Sequence, residues 1–447
     1  MKDLNFQQAV KDCCHKNIKG MMDFVIASSP LLLATLQNCF DEDENQSLYA
    51  ERVVADSYYL FALNAIRFRK CNPDLARLAF FEILARRLSF SRQPLNMTGN
   101  EPMTDSIPET AIESLQQIFP IPDGIVPPRI KSIQLLQIAA RSHSRVVLDS
   151  PWLAHVERQL QYYLGLNPLG LAANGEAIYP DTFDPQQAFA VRCHRWKTRV
   201  ILAIRKKVVT PLLEGIARTV IRFEPGRQWM YRYGLSRRLM QKDFPEQLRI
   251  TVDPQRIQKM GAFKRKMRQK MDSRLIWDGD WDQCTGRFED NSRYRFISDI
   301  WQHRDTPQDS RFYQHQLEQI DAGEPFVDRY NGVSLTSPRR IVGHIQLYLL
   351  YMYNMACFGF SGGQGKDEVW IALDRHNDVV KVNHGLHRTA MAQVIGLRQM
   401  EVSVRAVHRL WWQQMLLDCS ATDDIYLFFS HLQQCNGPLL QPCSKCV

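Results

Sequence analysis

Apolar residues recur every three or four positions through SLYAERVVADSYYLFALNAIRF and NPDLARLAFFEILARRL, the period of a helix with one buried face. Asn72-Pro73 between them supplies both a break and a helix start. Residues 1 to about 165 are therefore expected to be helical throughout, and no internal repeat is visible. The proline-rich FPIPDGIVPPR (119–129) reads as a linker. From Leu248 the period changes. LRITVDP reads as a strand ended by Pro254, while EVWIALD (368–374) and VVKVN (379–383) read as short strands around an Arg-His-Asn-Asp turn. MEVSVRAVHRL (400–410) alternates again. The expected order is strand, helical insertion, strand, turn, strand, short helix, strand, in a protein of class α+β. Four segments are expected: a helical N-terminal region (1–165), a basic amphipathic helical connector (166–247), a mixed α/β domain (248–413) and a C-terminal tail (414–447).

Length and composition fit more than one folded core, since the chain has 447 residues and is 45% apolar. The first residues contain no apolar signal segment, and no uninterrupted apolar run of about 18 residues occurs. A cytoplasmic location without a transmembrane segment is the expectation. Eleven cysteines at irregular spacing fit reduced thiols. In the tail, CNGPLLQPCSKC offers Cys435, Cys443 and Cys446 but no fourth zinc ligand.

Charge changes the picture because it is uneven. The net charge is +9, yet residues 191 to 274 hold 23 Lys and Arg against 6 Asp and Glu, which leaves the remainder acidic. Within that middle, RWKTRVILAIRKKVVTPLLEGIARTVIRF (195–223) mixes apolar clusters with cations at helical spacing. It reads either as a helix with snorkelling cations packed on its own protein or as one lying on an anionic surface. KRKMRQK (264–270) allows the same pair of readings. Residues 195–270 are accordingly the candidate contact for nucleic acid or for an anionic membrane surface, the latter giving a peripheral location at the inner membrane face.

VNHGLHRTAMAQVIGL (382–397) places His387 and Arg388 at the start of a short helix. Cations there face the positive end of the helix dipole unless an anion lies between them. The run DVVKVNHGLHRTAMAQVIGLRQMEVSVRAV resembles the G-x-x-R segment of the ParB and sulfiredoxin superfamily, in which a strand leads through glycine into a helix and then another strand. LRITVDPQRI resembles that fold's opening strand, and LIWDGDWDQ and RFED are similar to a sequence in uncharacterised ParB-like proteins. The resemblance covers about residues 248 to 413. It implies a ParB-like nucleotide-binding domain whose phosphate site is Asn383, His384, Gly385, His387, Arg388 and Thr389, with close backbone approach at Gly385 and a bidentate phosphate contact from Arg388. The other reading of His387 and Arg388 is pairing with an acidic neighbour. Sulfiredoxins carry a reactive cysteine where this chain has Leu386, which excludes sulfinic-acid reduction. Partition ParB proteins carry two arginines, the first of them where this chain has His387, and a DNA-reading module that 411–447 is too short and irregular to supply. Some free-amino-acid kinases share the fold, so phosphoryl transfer is the chemistry that the resemblance implies.

Transfer from ATP or another nucleoside triphosphate needs a divalent cation and a carboxylate base. Asp278, Asp280 and Asp282 alternate, so an extended segment would turn all three toward one magnesium ion. An EF-hand is rejected because Gln283 occupies its glycine position. Glu289 and Glu368 are the candidate bases, with His387 the third member of the catalytic set, and His408 and Arg409 are placed at the pocket edge. GFSGGQGKDE (359–368) fails as a phosphate loop because Phe360 and Asp367 occupy its glycine and hydroxyl positions. The expected function is phosphotransfer to a small-molecule or sugar-containing acceptor. The alternatives are a nucleotide-switched binding protein acting through the basic middle, and a scaffold without activity.

Overall fold

The computed structural model describes residues 4–37, 44–91, 109–119, 131–142, 148–166, 179–204, 234–261, 273–283, 285–328, 332–360 and 368–418, with Cys39, Ile125 and scattered positions between 207 and 226. The protein is α+β, with a helical N-terminal region and a mixed sheet. KRKMRQK, most of the proline-rich linker, residues 361–367 and the three tail cysteines lie outside the described residues. The six described cysteines are free thiols.

The chain divides into two compact units that differ from the expected segments. One comprises Met1–Ile121, Val126–Arg195 and Asp299–Gly359; the other comprises Pro122–Ile125, Trp196–Ser298 and Phe360–Val447. The stretch 299–359, expected as an insertion in the C-terminal domain, thus belongs to the helical unit. Its helix Pro338–Phe358 buries Ile341, Ile345, Leu349, Met352 and Phe358, a helix-period stripe, and it packs on helices of that unit.

In the helical unit, Pro73–Ser89 begins where expected, with Asn72 accepting the Leu75 N–H at 2.8 Å and Pro73 in the first turn. Rings of Phe6, Phe24, Tyr58, Phe61 and Phe80 pack edge-on or tilted with centroids 5.0 to 6.1 Å apart. Two buried arginines are fully used. Arg86 bonds Glu82 and the carbonyls of Cys357 and Phe119, and Arg87 bonds Asp56 at 2.8 Å. Helix Ile18–Gln37 is the one described helix long and apolar enough to cross a membrane, and more than half of that window is buried inside the protein. Its Ser28 and Ser29 hydroxyls donate to backbone one turn back and meet the Tyr58 hydroxyl, as in a packed core helix.

Nine strands occur among the described residues: β1 Arg249–Val252, β2 Lys259–Gly261, β3 Ile276–Trp277, β4 Thr285–Arg287, β5 Val327–Asp328, β6 Val333–Ser334, β7 Trp370–Leu373, β8 Val379–Lys381 and β9 Met400–His408. β5 and β6 form a separate ribbon in the helical unit. The others form one sheet in the C-terminal unit, in the order β1-β9-β7-β8-β2-β4, with β3 also on β9. β1, β7, β8 and β9 fall where the sequence places them. β9 pairs antiparallel with β1 and parallel with β7 and β3, and all its residues but Glu401 are buried. The alternation of MEVSVRAVHRL predicts one wet face; its central position covers both.

Candidate functional site

Strand β8 ends at Lys381, and the four residues after it form the candidate site. Lys381 is completely buried, and its ammonium donates to the carbonyls of Trp370, Val382 and His384 at 2.6 to 2.8 Å. Burial and the nearby Arg388 charge push its pKa well below the ordinary lysine value. The three carbonyls match the three N–H groups of the charged form and oppose that shift. By tying these carbonyls together, Lys381 holds the loop in a conformation that otherwise costs energy. His384 has φ 78° and Gly385 φ 73°, both left-handed. At Gly385 no side chain fits, because a Cβ would lie 2.7 Å from Val369 Cγ2 and 2.9 Å from Val369 Cα. From this turn the chain enters helix Leu386–Val394, whose N-terminus has no side-chain cap.

A cavity of about 590 Å³ opens at this helix start. Asn383, His384, Gly385 and His387 line it together with Arg293, Trp277, Trp370 and Arg405 from distant parts of the sequence. Arg405, on β9, is 1% exposed and lies over the Trp370 and Trp277 rings, 5.1 and 5.8 Å from their centroids. The Trp370 indole N–H is buried and lacks a hydrogen-bond partner among the described residues. Arg293 is exposed, and its guanidinium has no ion-pair partner among the described residues. Among the described residues no carboxylate lines the cavity. The lining therefore combines flat apolar rings with guanidinium groups and a helix N-terminus, a set suited to an anion carrying an aromatic ring.

His387 enters this site uncharged. Burial first, and the Arg293 charge second, lower its pKa to about 4. The expected pair of cations at the helix start is thus one cation and one neutral imidazole. Since the folded pKa lies below the unfolded value, the stability His387 contributes is complete above about pH 6.5 and disappears as the pH falls through 4. Denaturation between pH 7 and 4 should reveal a loss of roughly 2 to 3 kcal/mol that His387→Gln removes from the profile. An unchanged profile in that variant would overturn the assignment.

Other expected site residues lie elsewhere. Arg388 is half-buried and does not line the cavity, because adjacent helical residues point about 100° apart. Thr389 is buried, and its hydroxyl donates back to the Gly385 carbonyl at 3.0 Å. Glu289 is exposed and paired with Arg287, and Glu368 pairs with Arg249 at 3.4 Å beside a separate, smaller cavity.

The three aspartates are not extended. Gly279, at φ 89°, turns the chain between Asp278 and Asp280, and Trp281 is buried between the second and third acids. Arg375 takes both oxygens of Asp282 at 2.8 Å and also bonds Asp280 at 2.8 Å, while Arg409 pairs with Asp278 at 2.7 Å. Burial pushes the Asp282 carboxyl up, but the Arg375 side-chain and backbone bonds outweigh it and hold the pKa down at about 2. A donor set neutralised by arginines does not fit magnesium, and no group of three His, Cys, Asp or Glu among the described residues is arranged for a metal. His408, 1% exposed, receives the Leu410 N–H at Nδ1 and donates from Nε2 to the Gly279 carbonyl. It fixes this turn rather than edging the cavity.

Sequence reading missed Arg293, Trp277, Trp370 and Arg405. One signal was present: an arginine in the alternating apolar run of β9 is a cation placed where a sheet will bury it. No family model, curated protein or solved structure matches the chain.

Proposed function

We propose that the C-terminal unit binds a nucleotide, or another ligand that joins a flat ring to an anionic group, in the cavity at Gly385. The observation carrying this reading is the lining itself, with two guanidinium groups, two indoles and an uncapped helix start around about 590 Å³ and no acid among them. The resemblance of residues 248–413 to ParB-like nucleotide-binding domains, whose glycine turn and helix hold phosphates, supports the same reading. For phosphoryl transfer the lining supplies no carboxylate base, so the proposal is binding, with Arg293 and Arg405 as the phosphate contacts and Trp277 or Trp370 against the base. Magnesium has no part in it.

A panel of nucleoside mono-, di- and triphosphates in EDTA tests this by thermal shift. Ligand at a hundredfold excess over the dissociation constant stabilises by about 2.7 kcal/mol. Arg293→Ala should leave the apo melting temperature unchanged and lower affinity about tenfold, the loss of one or two charge-assisted hydrogen bonds. A panel without any shift, or affinity unaltered in that variant, would retire the proposal.

A second reading rests on helix Ala188–Ile204. Trp196, Ile201 and Ile204, in the C-terminal unit, are each more than half exposed, next to the exposed Lys197. Exposed apolar side chains beside a cation favour an anionic membrane surface over duplex DNA, which needs the charge but not the apolar groups. Co-sedimentation with anionic but not neutral vesicles, weakened severalfold by Trp196→Ser, is the expected result. Equal sedimentation with both vesicle types, or with neither, would remove this reading.

A further inference from the structure

The helical unit contains a cavity of its own, also of about 590 Å³. Five aromatic residues line it: Tyr49, Tyr59, Trp152, Tyr163 and Tyr179. The rings of Tyr59 and Tyr163 lie 5.1 Å apart at 34°, and that of Tyr179 is 6.3 Å from Tyr163. Tyr59 is 5% exposed, and its hydroxyl has no hydrogen-bond partner among the described residues. An orphaned buried hydroxyl is costly to leave unmet. Burial, with Asp56 and Asp181 adding to it, raises the Tyr59 pKa far above the ordinary phenol value, so the group is a neutral donor.

Acids outnumber bases in the lining, and Arg52 and Arg87 already lie over the Tyr49 ring, 5.6 and 5.9 Å from its centroid. Glu51, Asp56 and Asp305 line the cavity against one guanidinium, that of Arg52, which donates to the backbone carbonyls of Arg304 and Asp305. His155 also lines it, and burial, opposed by Asp181, lowers its pKa, which leaves it neutral at pH 7. Asp56 is matched by Arg87 behind the wall. Burial first, and the Asp149 charge second, raise the pKa of Glu51.

Ring faces are negative, and several converging on one volume attract a cation that sheds water easily, as a quaternary or substituted ammonium does. An anion would meet more acids than bases in the lining, and an uncharged apolar guest would leave the Tyr59 hydroxyl unmet. We propose that this cavity binds an organic ammonium ion carrying a hydrogen-bond acceptor a few bonds from its nitrogen, the rings and carboxylates holding the cation and Tyr59 donating to the acceptor. The site is independent of the one at Gly385.

Three probes test it by calorimetry on the full chain: acetylcholine, its uncharged carbon isostere 3,3-dimethylbutyl acetate, and tetramethylammonium. Acetylcholine should bind at least about tenfold more tightly than the isostere, the expected scale for a desolvated cation over aromatic faces. Tyr59→Phe should weaken acetylcholine about fivefold and leave tetramethylammonium unchanged, because only the ester offers an acceptor. Glu51→Gln, at a half-buried wall position, should weaken both cations and not the isostere, and it provides the test should Tyr59→Phe melt early. Equal affinity for acetylcholine and its isostere would overturn the proposal, as would the absence of cation binding up to about 10 mM. Equal loss of both cations in Tyr59→Phe would reduce Tyr59 to packing and overturn its assigned role.

Discussion

Arg375→Ala is expected to destabilise the C-terminal unit by about 2 to 3 kcal/mol at pH 7, in urea unfolding followed by tryptophan fluorescence. The guanidinium holds both oxygens of an Asp282 carboxylate whose side chain is 3% exposed. Removing it leaves a buried charge without its counter-ion, which costs 3 to 5 kcal/mol in a dry site and less here because Arg375 is partly open to water. The pH dependence should also weaken. In the wild type, Asp282 contributes stability above about pH 3.9 that is lost as the pH falls through about 2. Without the guanidinium, burial still raises the Asp282 pKa while the residue-375 backbone N–H and His408 still lower it, so the depression shrinks and less stability is lost in acid. Asp282→Leu combined with Arg375→Ala should recover part of the loss, since an apolar pair can replace a buried ion pair. A single variant as stable as wild type at pH 7 would show the turn to be held without this ion pair.

Gly385→Ala should be as damaging and should also weaken the nucleotide binding proposed for the cavity. A left-handed alanine costs roughly 1 to 2 kcal/mol. Its methyl would also meet Val369, and one of the close atoms is a backbone Cα at 2.9 Å, which cannot rotate away. A combined loss of about 2 to 4 kcal/mol and at least a tenfold drop in nucleotide affinity are expected. Adding Val369→Ala removes the contact with Cγ2 but not that with Cα, so the double variant should regain only part of the stability. Full recovery would mean that the side chain, not the backbone approach, requires glycine there.

Much of this site could be read from the residues in order, and the remainder is absent for a physical reason. The change of period at Leu248, the strands about the Arg-His-Asn-Asp turn and the glycine entry to helix Leu386–Val394 are local features, and the structure has each of them. Strands β2, β3 and β4 have two or three residues each, too few for a period to register. Arg375 lies within a turn legible in the sequence, but its partner Asp282 is 93 residues away, a distance no local pattern spans. The alternation of Asp278, Asp280 and Asp282 implied one face only on the premise of extended backbone, which the left-handed Gly279 breaks. His387 and Arg388 stood together as letters yet diverge on the helix, so the cavity's guanidinium groups come from Arg293 and Arg405 instead.

The place of β9 in the sheet bears on how the chain is made. β1, β3 and β7 all pair with it, and the register Arg249↔Ser403 joins residues about 150 apart. During synthesis at roughly 5 to 20 residues per second, β1 would wait on the order of 10 to 30 seconds for its neighbour. Over that interval its edge, and the apolar surfaces of Trp277 and Trp281 that later pack against Ala406, remain open to other chains. The nascent protein therefore passes through a timed window of self-association, longest when translation is slow, and shortening β9 from its C-terminal end would leave that window permanently open.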